Sequence, residues 1–146
     1  MFGNLKAIVA ILGILAAATV HAETTYYGLK LMGMPFGYRA HSETVDPIKG
    51  VPATLKEDFW NYAFDNGKTR VKITIDTKIW TNVDGKPLRF KFSREGDGVD
   101  REVEAEFGGE TTDVTFRNGK TKSQKSLKTP EDWNEQPRRV SSRSLA

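Results

Sequence analysis

The sequence predicts an all-β fold, an antiparallel up-and-down meander of about eight strands curled into a half-barrel or small barrel. Turn signals recur at Asn66-Gly67, Asp84-Gly85, Gly96-Asp97-Gly98, Gly108-Gly109 and Asn118-Gly119. Asn-Gly and Asp-Gly tolerate the positive φ angles of tight hairpin turns. Between these turns apolar and polar residues alternate, the period of a strand with one buried face. Beyond Glu23 no stretch keeps helical spacing of apolar residues over about ten positions, so no helix layer is expected to cover the sheet. Such a sheet must curl onto itself or bind something against its apolar face.

Residues 1–22 read as a signal peptide. Lys6 supplies a weak positive region, Ala7 to Val20 an apolar run, and Val20-His21-Ala22 the small residues of a cleavage site between Ala22 and Glu23. The run is shorter than the ~20 residues that cross a bilayer, so no transmembrane span is expected after cleavage. An uncleaved N-terminal anchor is the alternative. The expected location is exported, periplasmic or extracellular. The meander is expected over 23–127, followed by a disordered tail over 128–146 that is rich in Pro, Arg and Ser. Trp133 is the exception in that tail, either docking on the body or contacting a partner.

The first hairpin spans 25–43, with Tyr27, Leu29 and Leu31 alternating with Tyr26, Gly28 and Lys30. A two-residue loop at Gly33-Met34 pairs Leu31 with Phe36 and Leu29 with Tyr38. Pro47, Gly50 and Pro52 make 44–57 irregular, with at most a helical turn over Thr54–Asp58. Trp60, Tyr62 and Phe64 then share a face, and the Asn66-Gly67 turn sets Tyr62 against Val71 and Trp60 against Ile73. After Asp84-Gly85, Ile79 meets Phe90. Pairing around Gly96 to Val99 sets Phe92 against Val103, Phe90 against Ala105 and Leu88 against Phe107. The same register sets Arg89 against Glu106 and Lys91 against Glu104 on the other face, and a one-residue slip breaks both sets. Val114 and Phe116 extend the apolar face, and 120–127 form a Lys-rich edge strand.

Composition narrows the function. The net charge is only +3, and Lys6 leaves with the leader, so the body lacks the strong basic surplus typical of nucleic-acid readers and no nucleic-acid partner is expected. There is no cysteine, hence no thiol nucleophile, no disulfide and no bacterial-type lipid anchor. His41 stands beside Arg39 and Glu43 on the polar side of its strand, with Ser42 on the opposite face, so no hydroxyl–imidazole–acid arrangement is expected. Glu102, Glu104 and Glu106 read as a charge ladder neutralised by Arg89 and Lys91, and Asp84 and Asp97 as turn residues rather than metal ligands. No catalytic residue, cofactor or metal is expected.

The aromatic set Trp60, Tyr62, Phe64, Phe90, Phe92, Phe107 and Phe116 has two readings, a core or the lining of a lipophilic groove. As a groove, its candidate ligand-binding residues are Trp60, Tyr62, Phe64, Ile73, Phe90 and Phe92. The expectation is an exported, non-enzymatic binding or accessory module whose partner is a protein or envelope component. The alternative is a carrier or sensor of a lipid or other hydrophobic ligand.

The order of motifs resembles a known arrangement. Tyr27-Gly28-Leu29, Met32-Gly33-Met34-Pro35-Phe36-Gly37-Tyr38, Asp84-Gly85-Lys86-Pro87-Leu88-Arg89-Phe90 and Gly108-Gly109, with a Pro shortly after the last strand, resemble the N-terminal β-domain ahead of transglutaminase-like domains in exported bacterial proteins. The Asp84–Phe90 stretch is also similar to secreted β-rich domains with sheets like the half-barrels of lipoprotein carriers. The resemblance covers about 23–130 and implies a β half-barrel with a binding or accessory role. A Cys/His/Asp-bearing domain follows in such proteins, and nothing here matches it, so no catalytic residue carries over. A stand-alone copy and a chain truncated near Trp133 both remain open.

Overall fold

A computed structural model describes residues 22–129. The expected leader, but for Ala22, and the expected tail beyond Thr129, including Trp133, lie outside the described residues. Eight strands follow one another: β1 (Glu23–Leu31), β2 (Met34–Val45), β3 (Thr54–Asp65), β4 (Arg70–Thr81), β5 (Pro87–Gly96), β6 (Val99–Phe107), β7 (Thr111–Asn118) and β8 (Thr121–Lys128). They form a single antiparallel sheet in sequence order. The sheet is not closed; it is a curled half-barrel with β1 and β8 as its edges. Among the described residues there is no helix. The last strand includes Lys128, one residue beyond the expected boundary, and Thr129 N donates to Glu110 O at 2.8 Å.

The fourth hairpin has the predicted register. Phe90 faces Ala105, Phe92 faces Val103, Arg89 faces Glu106 and Lys91 faces Glu104. The ladder opens at Arg89–Glu106, so the expected Leu88–Phe107 rung lies beyond it. Gly96 pairs with Val99, and Asp97 and Gly98 make the tight turn with φ of 55° and 69°. Ile79 faces Phe90 as expected.

Other registers differ. The first turn falls on Met32-Gly33, with φ of 50° and 82°, so Leu31 meets Met34 and, after a bulge, Leu29 meets Gly37. Leu31–Phe36 and Leu29–Tyr38 therefore do not pair. The physical reason is Pro35, which lacks an N–H and sits beside the bulge between Leu29 and Lys30, where the ladder is already irregular. Freed from Leu31, the Phe36 ring meets Tyr62 edge-on with centroids 5.9 Å apart. After β3, Tyr62 faces Ile73, Trp60 faces Ile75 and Phe64 faces Val71. The shift from the expected register is two residues, which preserves every side chain's face. It arises because Asn66 Oδ1 accepts from both Lys68 N and Thr69 N at 3.0 Å, widening the expected two-residue loop.

Thr54–Asp58 is strand rather than a helical turn, because it pairs with β2 on one side and β4 on the other. The irregular stretch shrinks to residues 46–53, which fold as a small hairpin. Ile48 and Val51 exchange backbone hydrogen bonds of 3.0 and 2.8 Å, and Lys49 and Gly50 turn with φ of 49° and 79°. This strap lies across the sheet face opposite the aromatic one. Trp80 Nε1 donates to Asp46 Oδ2 at 2.7 Å, Lys49 Nζ reaches Glu106 Oε2 at 3.4 Å, and both Trp80 and Ala53 are buried.

Gly96 is the tightest glycine contact at a turn. Its φ is +115°, and a Cβ there would overlap the Lys72 carbonyl oxygen and stand 3.1 Å from Ile73 Cα. Around Gly109 a Cβ would meet nothing within 4 Å. Gly96→Ala is expected to destabilise the fold by about 2 kcal/mol or more, and Gly109→Ala by under about 0.5 kcal/mol. Urea unfolding midpoints of the two variants check this.

Candidate binding face

Strand alternation carries one set of side chains from β3 to β8 on a common face. Trp60, Tyr62 and Phe64 face Ile75, Ile73 and Val71 across the β3–β4 ladder. Phe90 aligns with Ile79, Ala105 and Val114, and Phe92 aligns with Val103 and Phe116. All six candidate residues, Trp60, Tyr62, Phe64, Ile73, Phe90 and Phe92, therefore share this face. No second layer covers it among the described residues. Ile73 is nevertheless only 3% exposed. Burial that deep in a single-layer sheet requires neighbouring side chains to lean over it, which makes this the inner side of the curl. The larger rings stay partly open, with Phe64 and Phe116 each 39% exposed.

The face contains an apolar hollow of about 300 Å³ toward the β8 edge. Ile79, Phe90, Ala105, Phe107, Val114 and Leu127 line it, with Thr112 and Lys128 at the margin. Of the six candidates only Phe90 lines this hollow. Trp60, Tyr62, Phe64 and Ile73 lie on β3 and β4, toward the other edge, where Tyr62 stacks near Phe64 with centroids 6.5 Å apart. The missed residue with the least sequence signal is Leu127. It is the lone apolar residue of a strand otherwise made of Thr, Lys, Ser and Gln, yet it stands opposite the buried Thr112.

A polar cluster interrupts the same face on β1–β3. Asp58 accepts from Arg39 Nε at 2.6 Å and from Arg39 Nη2 at 2.7 Å. The Arg39 guanidinium stands 4.9 Å from the Trp60 ring centroid and 5.9 Å from that of Tyr27. A planar cation held between aromatic rings and a bidentate carboxylate is a strongly oriented group. His41 faces Asp58 across the ladder, not only Arg39 and Glu43 as its own strand suggested. It is half-buried rather than solvated, and its Nδ1 is shut away from solvent without a hydrogen-bond partner. Ser42 faces the other side, toward Glu57. Among the described residues no group of His, Cys, Asp and Glu side chains is placed to hold a metal ion.

The opposite face carries Tyr26, Tyr38 and Phe59 in contact on β1–β3 and a charge network over β3 to β7. Lys78 Nζ lies 3.0 Å from Glu57 Oε1 and 3.2 Å from Asp76 Oδ2. Arg117 pairs with Glu102 at 2.6 Å and Asp100 at 3.1 Å. Arg89 faces Glu106 through the backbone, but its side chain binds Glu104 instead, joined there by Lys91 at 3.5 Å. The diagonal choice has a cause: the Arg89 guanidinium also lies 5.7 Å from the Trp80 ring centroid, and Glu106 is taken by Lys49. Arg117, in a strand read only for its apolar residues, neutralises the Glu102 end of the acidic row.

Comparison with protein-family models, curated proteins and solved structures finds no match to this chain.

Charge pairing sets the response to acid. The Arg39 guanidinium holds the Asp58 carboxyl below the usual carboxylate range. Arg89 does the same to Glu104, and Arg117 to Glu102. Burial instead pushes Asp76 up, against the pull of Lys78. A carboxyl depressed on folding stabilises the fold above its unfolded pKa and loses that contribution as pH falls through its folded pKa. A carboxyl raised on folding acts in the opposite sense. Acidification from about pH 6 to pH 2 should therefore weaken Asp58→Asn less steeply than the parent, and Asp76→Asn more steeply, in urea midpoints read along the series.

Proposed function

We propose that this chain is a non-enzymatic binding module, exported by its leader to the periplasm or exterior, that receives an apolar partner on the uncovered face of its sheet. The observation that carries the reading is that face: aromatic and aliphatic side chains from β3 to β8 share it, and no other described element packs on it. Removing such surface from water contributes about 25 cal/mol per Å², so a complementary apolar surface gains by settling there. On the other face the aromatic side chains Tyr26, Tyr38 and Phe59 are confined to β1–β3, and charge pairs occupy β3 to β7. The resemblance to accessory β-domains ahead of catalytic domains supports a protein or envelope component as the partner. The same resemblance implies no catalytic role.

A second reading, a carrier or sensor of a hydrophobic ligand, is favoured by the apolar hollow of about 300 Å³. A lipid chain suits its aliphatic and aromatic lining. Native mass spectrometry of the protein purified from its own envelope separates the two: bound lipid supports the carrier and a bound protein supports the accessory module. A protein that emerges without either contradicts both.

For the ligand reading, Leu127→Glu places a charge at the hollow while Gln124→Glu places one on the opposite face. Leu127→Glu is expected to weaken binding of a fluorescent acyl-chain probe by about tenfold or more, and Gln124→Glu to leave it within about twofold. A fluorescence titration of both variants reads the difference.

A further inference from the structure

The hollow has an occupant within reach on its own chain. The chain leaves β8 at its margin, and that exit is pinned. Thr129 Oγ1 lies 2.9 Å from Thr112 Oγ1 and donates to Gly108 O at 3.2 Å, while Thr129 N donates to Glu110 O at 2.8 Å. Thr112 and Leu127 both line the hollow, so Thr129 stands at its rim. Four residues later comes Trp133, the largest apolar side chain between Thr129 and Ala146. An extended chain advances about 3.3–3.6 Å per residue, which gives Trp133 a reach of roughly 14 Å from Thr129. Adjacent strands are about 4.8 Å apart, so this tether spans roughly three strand spacings inward from β8, enough to place the indole over the middle of the five strands, β4 to β8, that line the hollow.

Charge favours the same placement. Glu131, Asp132 and Glu135 flank Trp133. Beside the hollow the β8 edge presents Lys125, which stands opposite Val114, and Lys128, which lies in the lining, while Lys122 shares the other face with Gln124. Acidic residues on both sides of the indole would therefore meet lysines as it enters, an attraction that draws in this segment over a neutral one. An indole is a large, flat apolar group with a single donor, suited to a shallow apolar site with a polar margin.

We propose that Trp133 folds back in cis and seats its indole in the apolar hollow between β4 and β8, capping part of the uncovered face. The seat overlaps the site proposed above for a hydrophobic ligand, so a ligand entering the hollow must displace the indole. The docking itself does not depend on that ligand.

Methyl NMR of the full chain, free of added ligand and compared with Trp133→Ser, tests the inference. An indole over the hollow shifts the methyls of Ile79, Val114 and Leu127 upfield by its ring current, and Trp133→Ser removes that shift while leaving Val71 and Ile73 in place. Identical Ile79, Val114 and Leu127 methyls in both proteins overturn the inference. So does a change confined to Val71 and Ile73, which puts the indole elsewhere, or a shift that disappears on dilution, which puts a second copy's tryptophan in the hollow. Acrylamide quenching gives a second readout. The tryptophan that quenches least in the parent apart from Trp80 should be the one lost in Trp133→Ser, and a lost component that quenched freely overturns the inference. A failed acyl-probe titration contradicts the ligand reading while leaving these outcomes intact.

Discussion

A one-layer sheet with an apolar side has to hide that side by bending, and the rest of this structure follows from that constraint. Ile73, Val71, Ala105 and Val114 are buried without any second layer above them among the described residues. They are small and medium side chains, while larger rings such as Phe64 and Phe116 remain partly open. Bending thus buries the smaller side chains of the face and leaves its larger rings available. Availability for binding is a by-product of how the chain solves its folding problem.

The opposite side holds the curl with only a small buried patch, Trp80 and Ala53 at the strap. Added to it are ion pairs spread over β3 to β7 and the strap of residues 46–53 itself, which ties Asp46 to Trp80 and Lys49 to Glu106. Individual exposed pairs contribute only about 0.2–1 kcal/mol, so their main effect is on register. Arg89 shows the principle: one guanidinium joins Glu104 and the Trp80 ring, linking β4, β5 and β6. Asp76 is the costly member of this network, since burial opposes its charge and its Oδ1 has no hydrogen-bond partner.

The fold class and the shared face of Trp60, Tyr62, Phe64, Ile73, Phe90 and Phe92 were legible because alternation assigns faces without knowing partners. Register was legible where both faces carried information, as in the β5–β6 hairpin with phenylalanines on one side and opposite charges on the other. It failed at β1–β2, where Pro35 and a bulge decide the pairing, and at β3–β4, where the Asn66 side chain widens the loop. The Asp58 partner of His41 and Arg39 was hidden because it depends on the register of a strand that Pro47 and Pro52 made look irregular. The hollow was only half visible for a related reason: Leu127 reads as a stray apolar residue until β8 is laid beside β7.

The claim beneath all of this is that the aromatic side of the sheet is open in the isolated chain while Trp80 is not. Relaxation of aromatic ring protons by a water-soluble paramagnetic agent, on dilute and delipidated protein, measures that directly. Strong broadening of Phe64 and Phe116 beside a protected Trp80 ring is the expected result. Phe64 and Phe116 as well protected as Trp80 would mean that a second layer covers the face, and would contradict the account.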